Sequence, residues 1–425
     1  MKAGKTIGSG GFGCVFRPAL KCKGVNERES NKISKVMTSN NALDEYNQIM
    51  LLKDILEKIP NYSNYFIIDG LTICHPDKLT SSDLINFEKC SALPKDDITA
   101  NNINDSLDKI LLLNVPDGGE DLGNYIYKFS TYKEFIQINK SLVQLLLRAI
   151  LPMNKLNVYH SDIKDSNILV SRKNGNIYSK LIDWGLTVIY DPTKNKGYPH
   201  YWKNRPFQYN VPFSSILFSD LFSTKYSMFL LFNKITRETL TPFVINYIND
   251  WNVFRGLGHF TFITHIFFIF FEKNHPLERK NITFFEQTYT IPYITHYIVD
   301  ILIAFKPPSN FYGFPMKEYL DKVFIKNIDV WGLIISYYPI IEIIYENKST
   351  LHHDVKIFNF IKSLYLNVLY INGDKIINIS KLIKEMDKLT NLFKKTTRKS
   401  IRKKRQASTT TTKLMKTLKY TKTYI

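Results

Sequence analysis

Five polar side chains that could do chemistry lie close together in the stretch NVYHSDIKDSNILV, residues 157–170, namely His160, Asp162, Lys164, Asp165 and Asn167. His160 and Asp162 can exchange protons, Lys164 carries a positive charge, and Asn167 offers an amide oxygen. The ILV triplet that follows them is typical of a buried strand. One interpretation is a loop that presents charge at the edge of a sheet. The alternative is a solvated turn, because Asp and Asn also stabilise ordinary turns.

A further carboxylate, Asp183, follows in the sequence LIDWGL after a predicted hairpin with its turn at 174–175. Phosphoryl transfer needs a carboxylate near the attacking hydroxyl, oxygen ligands for Mg²⁺ and a cation that compensates the moving charge. Asp162 suits the first role, Asn167 and Asp183 suit the second, and Lys164 suits the third. Their order and spacing therefore predict phosphotransfer, with Asp162 and Lys164 as catalytic residues and Asn167 and Asp183 as metal ligands.

A glycine-rich segment near the start of the chain, IGSGGFGCV at 7–15, could bind phosphate groups. Glycines have no Cβ atom, so the backbone can approach phosphates closely and offer its N–H groups. A dinucleotide-binding fingerprint would continue directly into a helix. Here the β-prone sequence CVFRPAL follows instead. The sequence therefore predicts a strand, a glycine turn and a second strand that together cover phosphates.

Lys35 lies in NKISKVMT, whose alternating pattern predicts a half-buried strand. A helix is predicted to begin near Ala42, and Glu45 lies on its apolar face. An ion pair between Lys35 and Glu45 would make the lysine a cation that orients phosphates. The alternative is that Lys35 is an exposed edge residue and that Glu45 complements the helix dipole.

The chain has 425 residues, of which 44% are hydrophobic and 22% are charged, as expected of a soluble folded protein. This length fits one large two-lobed domain or two to three ordinary domains. The first part is predicted to contain strands and one helix, whereas the patterns beyond Pro212 are helical and aromatic. We place the boundary between these parts near 116–124.

Two observations argue against a secreted or membrane-spanning protein. The N-terminus has no apolar core of a signal peptide, and the apolar run HFTFITHIFFIFF, 259–271, is shorter than the ~20 residues that a bilayer span needs. The four cysteines are widely spaced and form no CxxC pair, so we expect neither zinc nor a disulfide framework, and we expect a reducing compartment. The cysteines are Cys14, Cys22, Cys74 and Cys90.

The net charge of +19 is concentrated at the C-terminus. Residues 394–425 contain 12 of the 57 Lys and Arg residues and no acidic residue, which leaves 45 basic against 38 acidic residues elsewhere. This tail lacks apolar periodicity, so we expect it to be disordered. It could contact nucleic acid or another polyanion, or act as a nuclear-localisation-like signal. The alternative is a solvated tail that aids solubility.

The order of glycine loop, strand lysine, helix glutamate, HxDxKxxN and DxG resembles the eukaryotic-type protein kinase signature set. The stretches NVYHSDIKDSNILV, VPDGGEDL and FIKNIDVWGLIISYYPIIE resemble more closely the Ser/Thr kinases of nucleocytoplasmic large DNA viruses, the iridovirus and mimivirus groups. The resemblance covers 4–212 and about 316–390. It implies a protein serine/threonine kinase that uses ATP and Mg²⁺.

The resemblance implies an α+β, bilobal protein-kinase-like fold with a small β-rich N-lobe at 1–116 and a large helical C-lobe at 117–393. The C-lobe would contain a long helical insertion at about 214–315. Leu112 would be the gatekeeper residue and Asp329 a buried aspartate that anchors the catalytic loop. The residues implied to bind the nucleotide are Ile7, Gly8, Gly10, Gly11, Gly13, Val15, Lys35, Glu45, Leu113 and Val115.

The chain departs from the kinase pattern at several positions. Ser161 stands where most kinases have an arginine that pairs with a phosphorylated activation loop, so no such switch is expected. Trp184 replaces phenylalanine in the DFG-like triplet, and VPFSS at 211–215 replaces the APE triplet. The insertion is predicted to consist of buried helices that serve as scaffold or as an extra docking surface.

Two other functions remain open. A small-molecule phosphotransferase of the aminoglycoside type shares the HxDxxxxN logic, although Lys164 and the glycine loop favour a protein kinase. A pseudokinase scaffold would bind partners without catalysis, but it has no chemical need for Asp162, Asn167 and Asp183 together. The resemblance implies viral or host protein substrates. It also implies a location in the infected-cell cytoplasm or the virion, with the nucleus as a further destination through the basic tail.

Overall fold

The computed structural model describes residues 4–129, 131–308, 312–349 and 351–394. It is a mixed α/β structure in which the N-terminal region is rich in β-sheet and the C-terminal part is helical. The basic tail, apart from Lys394, lies outside the described residues, and so does its predicted disorder.

Ten strands occur in the described residues, namely β1 (Lys5–Ser9), β2 (Gly13–Arg17), β3 (Lys32–Thr38), β4 (Thr72–Cys74), β5 (Ile110–Pro116), β6 (Glu120–Asp121), β7 (Val158–Tyr159), β8 (Ile168–Lys173), β9 (Asn176–Leu181) and β10 (Val188–Ile189). The α-helices of the same residues are α1 (Ser39–Leu56), α2 (Leu122–Lys128), α3 (Tyr132–Leu145), α4 (Leu151–Lys155), α5 (Asp220–Phe232), α6 (Arg237–Arg255), α7 (Phe260–Phe271), α8 (Ile282–Phe285), α9 (Ile291–Ala304), α10 (Met316–Tyr319), α11 (Ile325–Ile335), α12 (Tyr338–Glu346), α13 (His352–Leu364) and α14 (Ile379–Lys394).

The chain divides into two compact units. The first unit consists of Met1–Glu120 and Leu169–Gly185, and the second of Asp121–Ile168 and Leu186–Ile425. The hairpin β8–β9 belongs almost wholly to the first unit although it follows α2 to α4 in sequence.

The first unit is built on an antiparallel sheet in the order β1-β2-β3-β5-β4. In β3 the side chains of Ser34 and Val36 are buried, whereas Ile33 and Lys35 on the other face are half-buried. The alternation predicted from the sequence is therefore confirmed for residues 33–36, whereas Met37, which shares the face of Lys35, is fully buried. The segment 79–107 packs on the face of the sheet that carries Val36 and contributes to its apolar core.

Two disulfides join this segment to β2 and β4 to the chain that follows β2, so the expectation of no disulfide framework is wrong. Cys14 pairs with Cys90 at a Cα–Cα distance of 5.2 Å, and Cys22 pairs with Cys74 at 5.8 Å. Partners 76 and 52 residues apart meet only because the chain folds back on the sheet. The spacing in the sequence does not reveal this, and the inference of a reducing compartment loses its basis.

The predicted hairpin is confirmed, because β8 and β9 are joined by Asn174 and Gly175, both with positive φ (52° and 77°). These are the conformations that a two-residue type I′ turn requires, and Asn-Gly adopts them readily. The hairpin leads the chain to Asp183.

The second unit is organised around α11, of which ten residues are buried. The helical run Met316–Glu346 that contains α11 is long and apolar enough to cross a membrane, but 94% of its most apolar window is buried within the protein. A buried core helix can have the same length and apolar composition as a membrane-spanning helix. The C-terminal α14 packs on α3, where Asn139 donates hydrogen bonds to Met386 O at 2.7 Å and Thr390 Oγ1 at 2.6 Å.

The region between 214 and 315 forms α5 to α9, as the apolar patterns predict. The apolar run 259–271 becomes α7, and seven of its twelve residues are buried. Aromatic contacts link these helices, such as Phe229 with Phe243 at 4.7 Å between ring centroids.

Candidate active site

The glycine loop is the tight connection between β1 and β2, closed by a hydrogen bond from Gly10 N to Gly13 O at 2.8 Å. A Cβ atom on Gly13 would lie 2.9 Å from Val36 O, so close packing on β3 requires this glycine. A Cβ on Gly8 or Gly11 would meet nothing within 4 Å. No internal contact in the described structure explains those two glycines, which is consistent with close approach of an external group to the backbone.

The two apolar residues predicted beside this loop differ in environment. Ile7 on β1 is 45% exposed, whereas Val15 on β2 is half-buried and pairs with Lys35 across the strands. The structure therefore places Val15 next to the lysine and leaves Ile7 as an apolar surface residue that could contact a ligand.

Lys35 and Glu45 form a direct ion pair, with Nζ 2.6 Å and 2.8 Å from the two carboxylate oxygens. Helix α1 begins at Ser39, immediately after β3 ends at Thr38, so its second turn carries Glu45 back to the lysine despite a spacing of only ten residues. Burial alone would lower the pKa of Lys35. The negative charges of Glu45 and Asp183 outweigh it and raise this pKa, so the lysine stays protonated.

Asp183 belongs to the same unit and is held in the left-handed region, with φ of 66°. This conformation costs an L-residue roughly 1–2 kcal/mol, and neighbouring contacts maintain it. The Trp184 ring packs on Phe66 with 5.6 Å between centroids, and Gln48 of α1 donates a 2.8 Å hydrogen bond to Trp184 O. Trp184 therefore has a packing role, and the exposed carboxylate of Asp183 contributes charge near Lys35.

Two further residues implied to bind the nucleotide, Leu113 and Val115, lie within β5. Leu113 is fully buried and pairs with Lys35 on one side and Ile73 on the other. Val115 is half-buried, pairs with Ile33 and lies beyond the end of β4. Val115 is therefore better placed than Leu113 to contact a ligand, because β4 does not cover its side of β5.

In the second unit, Asp162 is 6% exposed, and described residues donate three hydrogen bonds to its carboxylate. Lys164 Nζ and Asn167 Nδ2 donate to Oδ2 at 2.7 Å and 2.9 Å, and Asn210 Nδ2 donates to Oδ1 at 2.9 Å. Burial would raise the pKa of this carboxyl, but the charge and hydrogen bond of Lys164, with help from Arg205 and Asn210, lower it. Asp162 is thus an ionised, oriented carboxylate.

Asp329 of α11 holds the loop that carries Asp162. Its carboxylate accepts hydrogen bonds from His160 N at 3.0 Å, Ser161 N at 2.8 Å and Asn154 Nδ2 at 2.7 Å. Burial raises the pKa of Asp329 despite these donors. Asp329 is therefore a buried anchor, which is the position that the family resemblance implies for it.

Three residues of this site were not predicted from the sequence: Trp202, Arg205 and Asn210. Trp202 Nε1 donates to Ser161 Oγ and Arg205 Nη2 donates to Ser161 O, each at 3.0 Å. The available signal was weak. These residues lie in YWKNRPFQYN directly before VPFSS, where polar side chains interrupt an aromatic stretch without forming a known motif.

The described residues contain no group of three or more His, Cys, Asp or Glu residues that could hold a metal ion. The two predicted metal ligands belong to different units, Asp183 to the first and Asn167 to the second. Asn167 uses its amide nitrogen to bind Asp162, which leaves Oδ1 as the atom that could serve as an oxygen ligand.

Comparisons with known proteins add little to these observations. No protein-family profile matches the chain, and no curated protein matches it. Among solved structures, the chain is similar to a crystal structure of a kinase domain, with 16% sequence identity over 56% of this chain and 67% of that chain and a TM-score of 0.29. A similarity at this TM-score carries no argument about fold or activity. The functional conclusion therefore rests on the residues themselves.

Proposed function

We propose that this protein is an ATP-dependent protein kinase that transfers the γ-phosphoryl group to serine or threonine hydroxyls. The observation that carries the proposal is the Asp162 carboxylate, buried, ionised and oriented by Lys164, Asn167 and Asn210. The lysine and the two amides reach this carboxylate from separate positions, so it is held in one geometry. An ionised carboxylate held in this way can accept the proton of a substrate hydroxyl.

In the proposed reaction, Asp162 accepts a hydrogen bond from the substrate hydroxyl and takes its proton as the hydroxyl oxygen bonds to the γ-phosphorus. The bond between that phosphorus and the β–γ bridging oxygen breaks, and ADP leaves. Lys164, 2.7 Å from Asp162 in the structure, compensates the charge of the transferred group.

The first unit supplies the nucleotide-binding residues in this proposal. The backbone of the glycine loop approaches the phosphates, and Lys35, fixed by Glu45, donates to them. The oxygen atoms of Asn167 and Asp183 are of the type that Mg²⁺ binds, and each residue is proposed as a ligand for it. Bound Mg²⁺ would neutralise the negative charge of the phosphate oxygens.

Lys164 and the glycine loop support a protein substrate over a small molecule, in line with the resemblance to the kinases of large DNA viruses. We accordingly propose viral or host proteins as substrates, and infected cells or virions as the location. The basic tail, which lies outside the described residues, is proposed to contact nucleic acid or another polyanion.

The direct test is incubation of the purified protein with labelled ATP, Mg²⁺ and panels of proteins, peptides and small hydroxyl compounds. We expect label on Ser or Thr of proteins. Transfer to small molecules alone would replace the proposal by a small-molecule phosphotransferase, and no transfer to any acceptor would contradict it.

Asp162→Asn should reduce phosphotransfer by about a hundredfold to ten-thousandfold, the range for loss of a general base. ATP binding should persist, because the nucleotide-binding residues are unchanged. Asp220→Asn is the matched control, since Asp220 is an aspartate of the same unit whose side chain is 75% exposed. Full activity of Asp162→Asn would exclude the proposed mechanism.

Asp183→Ala should weaken binding of Mg²⁺·ATP and phosphotransfer together, because Asp183 is the proposed metal ligand that also acts on Lys35. Thermal shift with and without Mg²⁺·ATP measures the binding. Asp69→Ala serves as the control, because Asp69 lies in the same unit and forms a surface ion pair with Lys53. An undiminished shift for Asp183→Ala would assign the metal to other residues.

A further inference from the structure

We propose that the disulfide between Cys22 and Cys74 is a reversible thiol–disulfide exchange site. A dithiol reductant opens it without unfolding the first unit, and its reduction weakens nucleotide binding by that unit. The effect on nucleotide binding rests on the proposed function. The reversible reduction does not, because it follows from the surroundings of the bond alone.

The two disulfides of the first unit differ in their access to solvent. Cys14 and Cys90 are 0% and 3% exposed and belong to the apolar core of the unit. Cys22 and Cys74 are both half-buried. A reductant must contact a sulfur atom directly, so a buried bond reacts only after the surrounding structure opens, whereas a half-buried bond can react in the folded protein. The structure therefore separates a core disulfide, Cys14–Cys90, from an accessible one, Cys22–Cys74.

Non-covalent contacts on both sides of the accessible disulfide would remain after its reduction. Lys23 N donates to His75 O at 2.9 Å, and Asp77 N donates to Lys21 O at 2.8 Å. The side chains of Lys21 and Asp77 also form an ion pair at 2.9 Å. Because these contacts hold the two segments side by side, the two sulfur atoms would stay close together, and the bond could form again.

The surroundings of Cys22 favour it as the leaving group of the exchange. Cys22 lies between Lys21 and Lys23 in the chain, and Asn114 Nδ2 donates a hydrogen bond to its Sγ at 3.6 Å. Cations and hydrogen-bond donors beside a sulfur atom favour the thiolate, and a favoured thiolate leaves faster in thiol–disulfide exchange. The sulfur that the reductant attacks is therefore that of Cys74.

The exchange is a two-electron reduction of the protein by the dithiol. One thiolate of the reductant bonds to Cys74 Sγ as the S–S bond breaks, and the electron pair of that bond goes to Cys22 Sγ, which takes up a proton. The second thiolate of the reductant then bonds to the first reductant sulfur and releases Cys74, which is protonated in turn. Both cysteines become thiols, and the dithiol becomes a disulfide after losing two protons.

Strand β5 connects this disulfide to the proposed nucleotide-binding residues. Asn114, the donor to Cys22, lies between Leu113 and Val115 on β5. Its Oδ1 accepts a hydrogen bond at 2.5 Å from the hydroxyl of Ser34, the residue that precedes Lys35 on β3. A change at the sulfur of Cys22 is therefore next to the two strands that carry these nucleotide-binding residues.

The same bond also holds the edge of the sheet. It joins the chain that follows β2 to β4, across the two strands β3 and β5 that lie between them in the sheet. β4 is an edge strand of three residues, and all three pair with β5. Reduction would remove the covalent attachment of β4 and loosen β5, so we expect weaker nucleotide binding in the reduced protein.

The first test follows reduction of the full chain and requires no activity. The protein is treated with increasing dithiothreitol, free thiols are blocked with iodoacetamide, and peptide mass mapping identifies the labelled cysteines. We expect Cys22 and Cys74 to be labelled at least about tenfold faster than Cys14 and Cys90, because the buried bond reacts only through local opening. The circular dichroism spectrum should stay unchanged at this step, and oxidised glutathione should restore the bond when the thiols are left unblocked.

Three results of this test would overturn the inference. They are reduction of both disulfides at one rate, reduction of Cys14–Cys90 first, and loss of folded structure when Cys22–Cys74 opens.

The second test measures binding of Mg²⁺·ATP by calorimetry in the untreated, the selectively reduced and the reoxidised wild type. Selective reduction should weaken binding at least about fivefold, the lower end of the usual coupling between two sites, and reoxidation should restore it. Cys22→Ser combined with Cys74→Ser is the matched variant. It should bind as weakly as the reduced wild type and should not respond to the same low concentration of dithiothreitol. The wild-type cycle decides by itself if the variant does not fold.

The two tests have distinguishable failures. Equal affinity of the untreated and the selectively reduced wild type for Mg²⁺·ATP would overturn the inference and leave the proposed function intact. Absence of Mg²⁺·ATP binding in the untreated protein would contradict the proposed function and with it the effect on nucleotide binding, whereas the order of reduction decides the exchange site independently.

Discussion

Two buried aspartates in one unit have pKa values shifted in opposite directions, and their partners explain why. Asp162 lies 2.7 Å from Lys164, and this charge lowers its pKa against the effect of burial. At Asp329, burial raises the pKa and outweighs the lowering effects of the His160 charge and of the backbone and amide donors. Divergent pKa values in neighbouring carboxylates often separate a reactive group from a structural one. Asp162 fits the former role and Asp329 the latter.

A third buried aspartate, Asp83, supports the first unit rather than the chemistry. Arg28 donates to both its oxygens, at 2.5 Å and 2.8 Å, and the backbone N–H groups of Gly4 and Thr80 donate at 2.9 Å each. Burial opposes ionisation, but these donors lower the pKa of Asp83 from 3.8 to about 2. The carboxylate therefore ties the segment 79–107 to the start of the chain.

We expect Asp83→Asn to destabilise the protein by about 2 kcal/mol at pH 7, because each unit of pKa shift corresponds to ~1.4 kcal/mol. A lowered folded-state pKa stabilises fully above the unfolded value and loses its effect as the pH falls toward 2. Denaturant unfolding of both proteins should therefore converge between pH 4 and pH 2. Asp77→Asn, which alters a more exposed pair with Lys21, should change little. Equal stability of wild type and Asp83→Asn at pH 7 would contradict the role.

At the scale of elements, α11 supports the loop that carries Asp162 through a glycine as well as through Asp329. A Cβ atom on Gly332 would lie 2.8 Å from Ile163 Cβ and closer still to the Ile163 carbonyl oxygen. The helix can therefore approach the loop only where it has no side chain. Gly332 lies about one helical turn after Asp329. The close contact at Gly332 and the three hydrogen bonds to Asp329 therefore hold the loop against two successive turns of α11.

We expect Gly332→Ala to lower stability by about 1–3 kcal/mol, the usual cost of overpacking, and to reduce phosphotransfer as the loop shifts. This expected loss of stability is opposite to the effect of helix propensity, because alanine normally stabilises a helix by up to about 1 kcal/mol relative to glycine. Gly197→Ala is the matched control, because a Cβ there would meet nothing within 4 Å. A stability gain in Gly332→Ala would show that the helix and loop are not in close contact.

The sequence predicts those secondary-structure elements that are determined by residues close together in the chain. Periodicity predicts β3 and the buried α7, and Asn174-Gly175 predicts the hairpin that leads to Asp183. The order of motifs also selects Lys35 and Glu45, although only the direct junction of β3 and α1 explains a spacing of ten residues. The contacts of Trp202, Arg205 and Asn210 with residues 161–163 depend on a return of the chain over about forty residues, which no local pattern reveals.

The whole chain combines two units of different construction. The second unit has the apolar helix α11 at its centre and a surrounding set of helices that bury it. The first unit is small, and a small unit buries a lower fraction of its surface on folding. In the first unit, two disulfides join the segment 74–90 to β2 and to the chain that follows β2. Covalent links of this kind compensate for a limited core.

Reduction of the disulfides should therefore destabilise the protein, with the loss confined to the first unit. Each bond closes a long loop, of 76 and 52 residues, and such bonds typically contribute about 2–4 kcal/mol by restricting the unfolded chain. Thermal unfolding with and without reductant measures the effect. Thiol labelling after denaturation should detect no thiol before reduction and four after it, since the sequence has four cysteines.

Two variants assign the contributions of the two bonds. In Cys22→Ser combined with Cys74→Ser, reductant should still lower the Tm through Cys14–Cys90, whereas replacing all four cysteines should remove the response entirely. Limited proteolysis should show new cuts in the first unit, with the second unit unchanged, because the described cysteines all belong to the first. Four labelled thiols in the untreated protein would disprove the pairing. An unchanged Tm on full reduction would show that packing of 79–107 on the sheet suffices without covalent bonds.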